Sequence, residues 1–219
     1  MRKAVLTADI EGSSRHSYRE LDMLIGVIRK LAADLEKEEL ISELFFHRGD
    51  SFQMLVHDTR MALQTAMLFK TAVNKTVKDE KRRSRGQKIR FDIAVSLGLG
   101  EVTQDRPLAE QNEPPFVLSG RGLDRLKAHR QTVGIFTGNA PADRHFEDLF
   151  FLYQWIMEQW SLTSAELVYY KLWGLTEREI AAELGISQPA VNQRSHSACW
   201  SGLERILDTY REAEERYFD

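Results

Sequence analysis

The chain has 219 residues, of which 42% are hydrophobic and 29% charged, a composition that suits one or two globular domains and excludes a disordered polymer. A formal net charge of −3 excludes a globally basic binder of nucleic acid or membranes, and a single cysteine, Cys199, excludes an internal disulfide and a thiolate zinc site. Residues 3–10 are a short apolar run ending at Asp9, Ile10 and a Gly-Ser-Ser turn, the pattern of a buried strand. From 18 to 38, Leu21, Leu24, Ile25, Ile28, Leu31 and Leu35 recur at helical spacing. Residues 44–46 and 52–56 are β-rich and flank His47, Arg48, Gly49, Asp50 and Ser51, which predicts a hairpin. Residues 61–77 are again helical, with Leu63, Ala66, Met67, Phe69, Lys70 and Val73 on one side. The basic run 78–90 reads as a solvated loop or frayed helix end. Residues 89–99 alternate and lead into Gly98-Leu99-Gly100-Glu101, a long strand followed by a close-approach turn. A proline-containing loop over 104–115, a helix over 117–129 and a strand over 132–136 complete this part. After Gly138 only helices are predicted, over 143–160, 163–173, 176–184 and 188–210. The longest apolar stretch, 23–28, falls far short of the roughly 20 residues that span a bilayer, so a cytoplasmic protein without a membrane segment is expected.

The order β-α-β-β-α-β-α-β predicts an α+β fold of ferredoxin-like type, an antiparallel sheet with helices on one face, followed by an all-α unit. The expected divisions are 1–138, a connector helix over 139–160, and 161–219. In such a sheet Asp9 ends the first strand and Asp50 sits at the tip of the neighbouring hairpin. Two carboxylates side by side suit Mg²⁺, which favours a few carboxylates together with phosphate oxygens. The Gly12-Ser13-Ser14 turn is expected to open a helix, whose backbone N–H groups could hold phosphate.

These residues resemble the class III nucleotidyl cyclases, whose catalytic domain carries Asp-Ile-x-Gly after its first strand and Gly-Asp on the next hairpin. Asp9-Ile10-Glu11-Gly12 and Gly49-Asp50 match both motifs. The set Asp9-Ile10-Glu11-Gly12-Ser13, Arg48-Gly49-Asp50-Ser51-Phe52, Gly98-Leu99-Gly100-Glu101-Val102-Thr103 and Ser119-Gly120 before Arg125, with the C-terminal helices, resembles the SatD family of bacterial proteins. The resemblance implies a cyclase-like fold, a metal site of Asp9, Ile10 and Asp50, phosphate contacts from Gly12, Ser13, Ser14 and Arg125, and Mg²⁺ bound with a nucleotide. Cyclases place an Asn and an Arg four residues apart on the helix after the fourth strand. Here Arg121 stands where the amide is expected, with Arg125 four residues on, so cyclase activity does not follow.

The segment from Thr176 to Val191 reads as a helix-turn-helix. Thr176 and Glu179 fit a capping box, Ala181 permits close crossing, Gly185 supplies the turn, and Ser187 can cap the second helix. It resembles units of sigma factors and two-component regulators. Ser187, Gln188, Asn192, Gln193 and Arg194 are the candidate contacts to duplex DNA. Against this, 161–219 holds six basic and ten acidic residues, much of the acid from Asp208 onward in a tail that could point away from DNA. Three functions compete. The first is a homodimeric DNA-binding transcriptional regulator with a domain that senses a nucleotide or metal. The second is a metal-dependent nucleotidyl cyclase or phosphoryl-transfer enzyme. The third is a non-catalytic dimerisation scaffold.

Overall fold

The computed structural model describes residues 2–47, 49–77, 87–103, 107 and 110–218. Arg48 and most of the basic run 78–90 lie outside the described residues, as does part of the proline-containing loop. The strands are β1 (Arg2–Ile10), β2 (Phe45–His47), β3 (Ser51–Val56), β4 (Ile93–Glu101) and β5 (Val133–Phe136). The helices are α1 (Tyr18–Lys37), α2 (Ala62–Asn74), α3 (Pro114–His129), α4 (Ala140–Met157), α5 (Leu162–Leu172), α6 (Glu177–Leu184), α7 (Gln188–Ser197) and α8 (Trp200–Phe218).

The strands form one sheet in the order β2-β3-β1-β4-β5. β1 is antiparallel to β3 and β4, but β4 and β5 are parallel. The sheet is therefore mixed, which corrects the all-antiparallel expectation. α3 carries the chain back across the sheet, so β5 runs in the same direction as β4.

Helices also cover both faces rather than one. Ala4, Leu6, Ala8 and Ile10 of β1 join a core with Leu24, Ile28, Leu31 and Leu35 of α1 and the apolar residues of α2. The alternate residue Thr7 faces α3, where its hydroxyl pairs with Ser119 Oγ at 2.8 Å. Strand side chains alternate between faces, so a strand covered on both reads as a continuous apolar run. The approach of α3 is very close. A Cβ on Gly98 would collide with the Pro115 carbonyl oxygen, and one on Gly122 with the Phe136 ring. Gly98 and Gly100 thus lie within β4 beneath the start of α3, rather than in the expected turn after the strand.

α1 begins at Tyr18 with a capping box made by Ser17 and Glu20. Gly12-Ser13-Ser14 opens only a single 3-10 turn, Ser13–Arg15, and not the helix expected there. Gly12 takes φ 63°, and the backbone N–H groups of Arg15 and His16 bond back into the turn. The helix expected over 188–210 is broken in two at Cys199, whose φ of 51° ends α7 before α8 starts.

The C-terminal helices pack against the sheet layer. α5 lies on α2, with Gln64 Nε2 donating to the Leu172 carbonyl at 2.8 Å and Lys75 Nζ 4.5 Å from the Tyr169 ring centre. α8 runs back to the β3–α2 connection. There Tyr210 Oη donates to the Thr59 carbonyl at 2.6 Å, and Thr59 Oγ1 to Glu214 at 2.6 Å. The acidic tail is therefore a docked helix with Glu214 buried, not a free extension. No helix among the described residues is long and apolar enough to cross a membrane.

Candidate functional site

Asp9 lies opposite Ser51 in the β1–β3 ladder, and the Ile10 N–H donates to the Asp50 carbonyl at 3.1 Å. The strand end and the hairpin tip are thus neighbours through their backbones. β4 enters at the same end, where Ile93 pairs with Ile10 and the Glu11 N–H donates to the Asp92 carbonyl at 2.9 Å. This end of the sheet gathers Asp9, Glu11, Asp50 and Asp92.

Two lysines answer those acids. Lys127, near the C-terminus of α3, reaches Asp9 with Nζ 2.6 Å from the carboxylate. Lys70 of α2 is almost wholly buried and donates to Asp92 Oδ1 at 2.6 Å and to the Ile93 carbonyl at 3.2 Å. Asn74 supports the same carboxylate at 2.8 Å and the Phe91 carbonyl at 2.9 Å. Burial raises the Asp9 carboxyl above its ordinary 3.8, the Lys127 bond and charge pull it down, and the Asp50 charge pushes it up again. Glu11 is also raised, by burial first and then by the Asp92 charge, with Lys70 opposing.

Not every expected residue joins this cluster. Arg125 lies two residues from Lys127 on α3, but its guanidinium grips Glu147 of α4 at 2.8 and 2.9 Å. Successive residues of a helix point about 100° apart, so two residues of separation turns Arg125 well away from Asp9. Over Gly12 the space is taken by Arg15, since a Cβ there would lie 2.7 Å from Arg15 Nε. Lys127, Asp92 and Asn74 were not singled out by the sequence. Lys70 offered a signal: a lysine on the apolar side of a helix needs a buried acceptor.

Asp9 and Asp50 supply two carboxylates at one sheet end, so an Mg²⁺ ion there would need water and phosphate oxygens for its other ligands. Among the described residues, no group of three His, Cys, Asp or Glu side chains is placed to hold a metal. A cation there would have to displace Lys127 from Asp9.

On α7, Ser187, Gln188, Asn192 and Gln193 are exposed. Ser187 stands at the cap position without a side-chain capping bond. Arg194 instead turns back to Glu166 of α5 at 3.3 Å. α6 carries the expected capping box from Thr176 and Glu179, and Gly185 ends it with φ 62°.

No protein-family model and no curated protein matches this chain. Among solved structures it is similar to the active GGEEF domain of a diguanylate cyclase from Vibrio cholerae, at 11% identity and TM-score 0.39, over 63% of this chain and 83% of that one. It is similar to the guanylyl cyclase Cya2 at 15% identity and TM-score 0.35, over 55% of this chain and 70% of that one. A third likeness is to a non-canonical dimeric guanylyl cyclase domain of the RhoGC fusion protein from the aquatic fungus Blastocladiella emersonii. It stands at 14% identity and TM-score 0.35, over 58% of this chain and 83% of that one.

Proposed function

We propose that the acidic sheet end is a nucleotide site of the metal-dependent phosphoryl-transfer or nucleotidyl cyclase type. The observation that carries the reading is the pairing of Asp9 with a hairpin tip that bears Asp50, closed over by Lys127. Asp9 and Asp50 would hold Mg²⁺, which neutralises phosphate oxygens when bound. Lys127, released from Asp9, would turn its ammonium to a phosphate oxygen, and the Gly12–Ser14 backbone would flank the same group. The cyclase and SatD resemblances in Asp9-Ile10-Glu11-Gly12 and Gly49-Asp50 support the assignment.

Calorimetry with ATP and GTP tests it. Binding should require Mg²⁺ and be lost in Asp9→Asn, while Lys127→Ala should weaken nucleotide binding without abolishing the metal requirement. Equal binding by wild type and Asp9→Asn refutes the reading. Formation of a cyclic nucleotide or release of phosphate would separate an enzyme from a sensor.

The exposed Gln188, Asn192 and Gln193 on α7 favour a second reading, in which α6 and α7 act as a helix-turn-helix on duplex DNA. The sheet would then sense nucleotide for a transcriptional regulator. Gel shifts should show that Gln193→Ala relaxes preference at one base pair, by about 1–3 kcal/mol for a bidentate contact. Arg194→Ala should lower the salt slope by about one if Arg194 leaves Glu166 for a phosphate. No retention of DNA at low salt removes this reading.

A further inference from the structure

α4 carries an apolar stripe that nothing among the described residues covers. Phe151, Leu152 and Trp155 are 67%, 68% and 69% exposed. On the opposite side of the same helix Phe146, Phe150, Tyr153 and Met157 are buried. The helix is thus apolar on two sides, and only one of them meets the protein's own core. Three side chains of this size leave on the order of 400 Å² of apolar surface in water, the size of the largest patch on a typical monomer, which is often functional.

The charges flanking the stripe are arranged for one kind of partner. Arg144 lies seven residues before Phe151 and Glu158 seven after it, and both are exposed. Seven residues are two helical turns, so both charges stand in line with the stripe. Glu158 lies at the C-terminal cap of α4, against the helix dipole, and Arg144 just past the first turn. An antiparallel copy of the same helix brings its Arg144 beside that acid.

We infer that α4 pairs antiparallel with α4 of a second copy of this chain, about a two-fold axis passing beside Phe151 and Leu152. Phe151 packs on the partner's Leu152. Arg144 meets the partner's Glu158, and the same contact repeats at the other end, as an isologous interface requires. Trp155 falls against the partner's Asp148, whose carboxylate can accept the indole N–H. Beside the stripe, a groove of about 520 Å³ between α3 and α4 is lined by Arg125, His129, Arg144, Glu147, Asp148 and Phe151, and offers room for the partner's tryptophan ring. The two apolar stripes together bring on the order of 800 Å² of apolar surface, about half of a standard interface, which suits a dimer of micromolar rather than nanomolar affinity. The inference is independent of the Asp9–Asp50 reading, since the stripe lies on a different element.

Sedimentation velocity on the full chain, from 1 to about 100 micromolar, tests it. The wild type should be dimeric in the micromolar range. Phe151→Glu and Trp155→Glu should each raise the dimer dissociation constant about 100-fold or more, as for central anchors of an interface. Both positions are exposed, so circular dichroism should report an unchanged fold. Arg144→Glu should weaken the dimer by setting two acids together at each end, and adding Glu158→Arg to it should restore association. A wild-type monomer throughout this range overturns the inference. So does a dimer indifferent to Phe151→Glu and Trp155→Glu, or a double charge exchange that fails to restore pairing.

Discussion

Lys70 and Lys127 neutralise the same acidic sheet end in different ways, and the difference is burial. Lys70 is sealed under Asp92, with Asn74 completing the carboxylate's bonds. Removing its charge leaves Asp92, a third exposed, with only the Asn74 amide and the Ile93 N–H as donors, so Lys70→Met should lower stability by about 1–2 kcal/mol in urea unfolding, less than for a fully buried pair. Lys127 is half-exposed and its loss should cost little stability. Asp9 has a carboxyl raised above 3.8 by burial, opposed by Lys127 and reinforced by Asp50. The folded chain therefore holds this proton more tightly than the unfolded one. As pH rises from 3.8 through the raised value, Asp9 lowers stability, and acidification through that window relieves the cost. Nucleotide binding with Mg²⁺ moves the opposite way, because the ion needs the ionised carboxylate. Binding should fall away on acidification at a pH above that of an ordinary aspartate, which calorimetry between pH 4 and 8 would show.

At the scale of elements, two backbone positions carry sharp expectations. Gly98 of β4 has the Pro115 carbonyl where a Cβ would go, so α3 must lift for any larger residue. Gly98→Ala should cost about 1–3 kcal/mol, the usual range for overpacking. Arg130, just beyond α3, is exposed and holds φ 56°, a left-handed conformation that disfavours side chains. Arg130→Gly should raise stability by about 1 kcal/mol, read as a higher denaturant midpoint with an unchanged slope. Most elements were legible because their periodicity is local. β1, α1 and β3 fall within a residue or two of their expected bounds, since apolar spacing and the Ser17 cap act over a few residues. The break at Cys199 was not legible. A non-glycine residue with positive φ leaves no mark in composition, and the turn is held in place by Trp160, whose Nε1 donates to the Ala198 carbonyl at 2.9 Å.

Across the whole molecule, α8 latches the C-terminal helices to the sheet layer. Tyr210 is fully buried with its hydroxyl on the Thr59 carbonyl, and burial pushes its phenol far above the ordinary value. Arg211 reaches Gln64 at 2.7 Å, and Arg2 lies 3.8 Å from Glu214. Truncation after Leu207 should therefore lower the melting temperature. Tyr210→Phe should remove about 1 kcal/mol, a shift of roughly 2–4 °C for a chain of this length.

By itself the sequence determined that the chain begins with an α+β layer and ends in helices, and that Asp9 and Asp50 belong at one sheet end. Those follow from period, turn chemistry and strand pairing between near neighbours. Only the tertiary structure decided that β5 runs parallel to β4, that α3 covers the second face, and that Lys127 rather than Arg125 meets Asp9. Each of these depends on how a helix crosses a sheet and on its rotation about its own axis. A shift of two residues along α3 exchanges one cation for another, and the close contacts of Gly98 in β4 with Pro115, and of Gly122 in α3 with Phe136, set the rotation of that helix.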